Sequence, residues 1–214
     1  MTLVRRLVRS DIGSTAAEFG LVLPVLLAFL LGTIDVGRFL WTYNRAEKAT
    51  QMGARYAAVT GLVASGLSSY RATDHGVSQG DPIPTSEFNN GTTGNAVTCT
   101  STASTATCTC DSGATCPTLG TANKAQFDLI VTRMQRFYPG IAAQNVILQY
   151  GRSGIGFSGD PNGPDIVPLI TVKLTGMKFT PMLFQFFNGT VTLPSFSSTL
   201  TMEDGVGSKM GQDS

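Results

Sequence analysis

The chain has 214 residues, 42% of them hydrophobic and only 14% charged, against the roughly 25% charged residues of an ordinary soluble domain. A net charge of +1 excludes a phosphate-tracking surface, which needs a clustered basic excess, so no nucleic-acid partner is expected. The single histidine, His75, leaves no second imidazole for a two-His metal site.

The surplus apolar content sits at the N-terminus. Arg5, Arg6 and Arg9 come first, and from Phe19 to Ile34 sixteen residues run without a charge between Glu18 and Asp35. A bilayer core needs roughly 20 apolar residues. Val36, Phe39, Leu40 and Trp41 supply the rest, with Trp41 and Tyr43 placed as interfacial aromatics and Asp35 or Arg38 near one surface. The sequence predicts a membrane helix over 14–41, with the basic cluster holding the N-terminus in the cytoplasm. No small-residue cleavage site follows the span, where Arg38-Phe-Leu-Trp-Thr-Tyr-Asn-Arg45 stands. The open scissile position precedes it, at Gly13-Ser14-Thr15-Ala16-Ala17-Glu18-Phe19, where a residue without a Cβ leaves the backbone unhindered.

The run from Gly13 to Gly37, with Arg38, resembles the TadE-like (TadE/TadF) proteins of tight adherence (Flp, type IVc) pilus systems. These are taken to be minor pilin-like proteins whose leaders a prepilin peptidase removes after the glycine of a G-x-x-x-x-E-[FY] motif. Gly13, Glu18 and Phe19 occupy that motif, and Leu193 to Glu203 is similar to the family's closing segment. The resemblance implies a leader of 1–13, a cut between Gly13 and Ser14, and Glu18 neutralising the new amine of Ser14 or that of a neighbour. Read from the residues alone, Glu18 is an acid at a helix N-terminus, where the macrodipole favours it.

Within the span, Pro24 removes a backbone hydrogen bond and is expected to kink or open the helix. Ala28 and Gly32 form a small-xxx-small pair that lets another helix come close. Beyond the membrane the pattern continues through 42–62. Val36, Phe39, Tyr43, Ala46, Thr50, Gly53, Ala54 and Ala57 fall on one arc, and Arg38, Arg45, Lys48 and Arg55 lie opposite. One helix from Ala16 to about Thr60 is predicted, half in lipid and half on a folded domain.

Residues 63–121 read as a variable, loop-like region that holds all four cysteines, Cys99, Cys108, Cys110 and Cys116. In an exported domain disulfides are the default. A Cys108 to Cys110 ring is too small, which leaves Cys99 with Cys108 or Cys110, and Cys116 with the other. Either the disulfides organise a hairpin around Val97 to Cys110 or the region is an excursion. From 122 onward an α+β domain is expected. Lys124 to Tyr138 reads as an amphipathic helix stopped by Pro139-Gly140. Strands are predicted at Val146 to Tyr150, Val167 to Leu174 and Thr190 to Met202, the last broken at Pro194, with Met182 to Phe187 undecided.

Several patterns suggest chemistry and fail on context. Gly154-Ile-Gly-Phe-Ser-Gly159 spells a dinucleotide fingerprint, but Asp160-Pro-Asn-Gly-Pro follows where a helix should begin. Asp160, Asn162 and Asp165 could offer oxygens to calcium without the bidentate glutamate of an EF-hand, so turn chemistry is preferred. A hydrolase could be built only around His75, and the cysteine spacing is not that of a zinc ribbon. Asn90 and Asn188 match a glycan acceptor pattern and read as turns. No catalytic residue, metal or cofactor is assigned.

The expected fold is α+β and pilin-like: a long N-terminal transmembrane and amphipathic helix on a periplasmic domain with a second helix and an antiparallel sheet. The expected role, implied by the resemblance, is a minor pilin-like component of a tight adherence pilus, anchored by a single span in the bacterial inner membrane. Its implied partners are the prepilin peptidase, other pilin-like subunits and the inner-membrane platform. The alternative is an assembly or sensor factor that stays in the inner membrane and never enters the filament.

Overall fold

The computed structural model describes residues 11–89, 94–161, 164–182 and 189–202. The basic cluster Arg5, Arg6 and Arg9 and the asparagines Asn90, Asn162 and Asn188 lie outside them, as do Leu183 to Phe187 and the tail from Glu203.

The first element, α1, is a helix over Asp11–Val59 with Pro24 inside it. It starts before the expected Ala16 and ends within a residue of the expected Thr60. The chain separates into two compact units, one of Met1–Tyr43 with Lys178–Thr192 and one of Asn44–Met177 with Leu193–Ser214.

In the larger unit α1 presents a lane of small residues. Ala46, Ala49, Thr50, Ala54, Ala57 and Ala58 are buried, and Thr50 folds its hydroxyl back onto the Ala46 carbonyl at 2.9 Å, which satisfies it without a partner from outside. Small side chains let the helix come close to its neighbours. A Cβ placed on Gly53 would stand 2.7 Å from Met134 Cγ and 3.5 Å from a Val172 methyl. Arg45, expected on the outer face, donates instead to the Phe137 carbonyl at 2.8 Å and covers the Tyr138 ring.

After α1 come the short helix α2, Ser65–Ser68, and a 3-10 turn at Ala72–His75. The helix α3 spans Lys124–Gln135 and buries Phe127, Ile130, Val131 and Met134. Each such side chain contributes about 1.5–3 kcal/mol on leaving water. Asn123 caps α3 by accepting the Gln126 N–H at 3.2 Å. The helix stops three residues short of the expected Tyr138, because the Phe137 and Tyr138 amides both turn onto the Met134 carbonyl.

Five strands form one antiparallel sheet: β1 Asn95–Ser101, β2 Ala106–Cys110, β3 Val146–Arg152, β4 Pro168–Leu174 and, after β5 and β6, β7 Phe196–Thr201. Their order is β2-β1-β3-β4-β7. The strands expected after residue 122 are thus joined by two from the region read as loop-like. β1 sits inside the sheet, paired to β2 on one side and β3 on the other. Val97 and Cys99 give β1 its buried face, together with Leu148, Tyr150, Ile170, Val172 and Leu174 from its neighbours.

The opposite face carries a polar row. The register places Thr109, Thr98, Gln149, Thr171 and Thr199 in one row across all five strands. Gln149 donates to the Thr98 hydroxyl at 3.1 Å, and the Thr171 and Thr199 hydroxyls lie 2.8 Å apart.

The smaller unit contains α1 up to Tyr43 and a two-stranded pair, β5 Lys178–Phe179 with β6 Val191–Thr192. The break expected at Pro194 falls between β6 and β7.

Candidate functional site

The first half of α1 carries the features that the sequence singles out. Gly13 and Ser14 lie within the helix, near its start. Glu18 and Phe19 are exposed. Leu21, Val22, Val25, Leu26 and Phe29 each expose more than half of their surface, and one 18-residue window of the helix reaches a mean hydropathy of 2.3. The helix is long and apolar enough to cross a bilayer, and its apolar surface is uncovered. The helix carries through Pro24 without a break. Ala28 and Gly32 lie in a shallow apolar groove with Phe29, Thr33 and Val36. Thr33 turns its hydroxyl to the Leu30 carbonyl at 2.8 Å, leaving an apolar floor. Val36, on the apolar arc and in the extension of the span, is 60% exposed, and the buried lane of small residues begins later, at Ala46.

At the end of the uncharged run stands a cluster that sequence reasoning saw only as charges near a surface. Asp35 is buried. Its Oδ1 accepts from Arg38 at 3.0 Å and from the backbone N–H of Met182 at 2.9 Å. The Arg38 guanidinium lies 5.4 Å from the centre of the Phe179 ring, and Phe39 meets that ring edge-on at 5.5 Å. The only sequence signal was an acid three residues ahead of an arginine at the close of an apolar stretch. Its partner is a main-chain amide, which no side-chain pattern reveals.

The four cysteines close as Cys99 with Cys108 and Cys110 with Cys116, one of the two pairings left open by the sequence. The β-register decides it, because Cys99 and Cys108 are directly opposed across β1 and β2.

The described residues weighed for chemistry make contacts within the fold. Gly154, Gly156 and Gly159 have φ of 78°, 124° and 85°, values that belong to turns. The loop they form is pinned by Asp165. This buried carboxylate accepts the Ala72 N–H at 2.6 Å and the Asp160 N–H at 3.0 Å, with Arg71 at 3.5 Å. Burial pushes its pKa up. The Gly159, Ala72 and Asp160 amides and the Arg71 charge outweigh that and hold it below the ordinary carboxylate value. His75 stacks on Tyr70 at 5.2 Å between ring centres and sits 3.5 Å from Glu87, which also accepts the Tyr70 hydroxyl at 3.0 Å. Among the described residues no three His, Cys, Asp or Glu side chains form a metal-holding group.

Residues 13–55, from the exposed half of α1 into its buried half, fit the TadE-like protein family. That segment is similar to the family. The match starts at Gly13, covers the apolar run and ends inside the lane of small residues. Residues 56–214 lie outside the match. No curated protein and no solved structure matches the chain.

Proposed function

We propose that this chain is a minor pilin-like subunit of a tight adherence pilus system, processed after Gly13 and acting through helix packing rather than catalysis. The observation that carries the reading is the division of α1. Its first half is exposed and apolar, and its second half, from Ala46, is buried in the folded domain. That is the arrangement a subunit needs if its helix is to lie first in lipid and then among the helices of its neighbours. The TadE-like match over the same segment supports it. In this reading the N-terminus is cytoplasmic, the domain from 44 onward is periplasmic, and the disulfides suit that compartment. Glu18 serves assembly by meeting the amine freed at Ser14, since a carboxylate at the edge of hydrocarbon is stable only when paired. The partners are the prepilin peptidase, pilin-like subunits and the inner-membrane platform.

N-terminal sequencing of the protein, produced with and without a prepilin peptidase, tests the processing. A start at Ser14 that requires the peptidase and is abolished by Gly13→Leu supports the reading, and a start beyond the span overturns it. Sheared and washed filaments that contain the protein place it in the fibre. Strict retention in the inner membrane favours the anchored assembly factor instead.

A further inference from the structure

Asp35 and Phe39 fix the depth of a second piece of chain. Along α1 they follow directly on the uncharged run that ends at Ile34, and they precede Trp41, which exposes 62% of its surface. Met182 binds Asp35 through its backbone, and Phe179 packs edge-on against Phe39. The chain from Phe179 to Met182 therefore lies beside the turn of α1 that leaves the bilayer. From the level of Phe39 to that of Asp35 it moves about 6 Å toward the hydrocarbon, at 1.5 Å per helical residue. If α1 spans a bilayer from Phe19 to Trp41, nothing that touches Asp35 and Phe39 can lie in bulk water.

We propose that the Phe179–Met182 chain, with Val191 of β6, is a second membrane-contact element seated in the headgroup region of the phospholipid bilayer. The proposal rests on the reading that α1 spans the membrane. Three further observations fit this occupant. Met182 and Val191 are 43% and 44% exposed, and at the same level α1 exposes Val36, Leu40 and Trp41, so the apolar surface of the span continues onto Met182 and onto Val191 of β6. Lys178 is exposed beside Phe179, and Arg38 is partly exposed over its ring. Cations with apolar stems belong where acyl chains meet phosphates. Finally, the Met182 N–H and Arg38 give the buried Asp35 carboxylate hydrogen bonds, which a charge at this depth requires.

Trp41 is the only tryptophan, which makes the test direct. The full chain is reconstituted in phosphatidylcholine and phosphatidylglycerol vesicles, in part brominated near the top of the acyl chains. Trp41 of the unaltered protein is compared with Met182→Trp and Val191→Trp, each made with Trp41→Phe. The expected result is blue-shifted emission from positions 182 and 191, quenched by brominated lipid to the same extent as Trp41 and protected from aqueous iodide. Ser197→Trp on the exposed side of β7, made with Trp41→Phe, should show the reverse. Quenching of positions 182 and 191 by iodide, with Trp41 still quenched by lipid, overturns the proposal and leaves the span intact. Protection from both quenchers also overturns it and indicates a protein partner there. Failure of brominated lipid to quench Trp41 itself removes the span and the proposal together. The two sites provide separate readings, so a folding defect in one variant does not spare the proposal.

Discussion

The Oδ1 atom of Asp35 accepts the backbone N–H of Met182 at 2.9 Å, across 147 positions of sequence. Asp35→Ala leaves that amide without its acceptor, a loss of about 1–3 kcal/mol for a buried donor. The expected outcome is local. In hydrogen exchange on the reconstituted protein, a peptide covering 178–182 loses protection, while peptides from β3 and β4 do not change. Asp35→Asn keeps an oxygen in place and should retain most of the protection. Equal exchange in all three proteins would show that the bond does not hold this chain.

Gly53 sets how closely α1 approaches α3. A Cβ at this position meets Met134 at 2.7 Å, so Gly53→Leu should destabilise the domain by about 1–3 kcal/mol through overpacking. Thermal unfolding in detergent measures it. Met134→Ala introduced alongside should recover part of the loss, and strictly additive effects would mean that the two sites do not share a contact.

Removing the disulfide across β1 and β2 with Cys99→Ala and Cys108→Ala should cost about 2–3 kcal/mol, toward the lower end for a ring this short. A non-reducing peptide map of the unaltered protein should join Cys99 to Cys108 and Cys110 to Cys116. A Cys99 to Cys110 peptide would contradict the register of the hairpin.

Stability should fall at both ends of the pH scale, for opposite reasons. The Asp165 carboxyl sits lower in the folded chain than its unfolded value of about 3.9. Its contribution is therefore present above that pH and is lost as pH falls through the lower folded value. Asp165→Asn should flatten the acid limb. Burial pushes Tyr150 up to about 12, against a weaker opposing effect of its hydrogen bond with Val63. The fold favours the neutral phenol, so stability is steady below about 10, the unfolded value, and declines as pH rises toward 12. Tyr150→Phe should reduce that alkaline slope. It should leave a remainder from Tyr70, whose pKa is raised by burial and then by Glu87. Tyr150→Phe should also cost about 1–3 kcal/mol at neutral pH, because the Val63 N–H donates to the Tyr150 hydroxyl at 3.0 Å.

Long periodic elements were legible in the sequence. α1, α3, β3 and β4 fall close to their expected places because each repeats apolar residues at the period of its own geometry. β1 and β2 were only half legible. Their Thr, Ser and Ala residues read as loop, and the core position of Cys99 is visible only if a cysteine is counted as a buried apolar residue. The cysteine pairing stayed open for the same reason, since spacing leaves two choices and only the strand register selects one. The Asp35 and Asp165 contacts could not be read, because each carboxylate binds main-chain amides, which look alike in every residue. The point along α1 at which burial begins, Ala46, could not be read either, because a helical arc says which residues share a side, not where along the helix the neighbour begins.

The polar row from Thr109 to Thr199 bears on how copies of this chain could join. Hydroxyl and amide side chains already bonded to one another gain little from being buried against a second sheet. That face therefore has low valence. In the reading proposed above, copies would join through their helices and not through this face of the sheet.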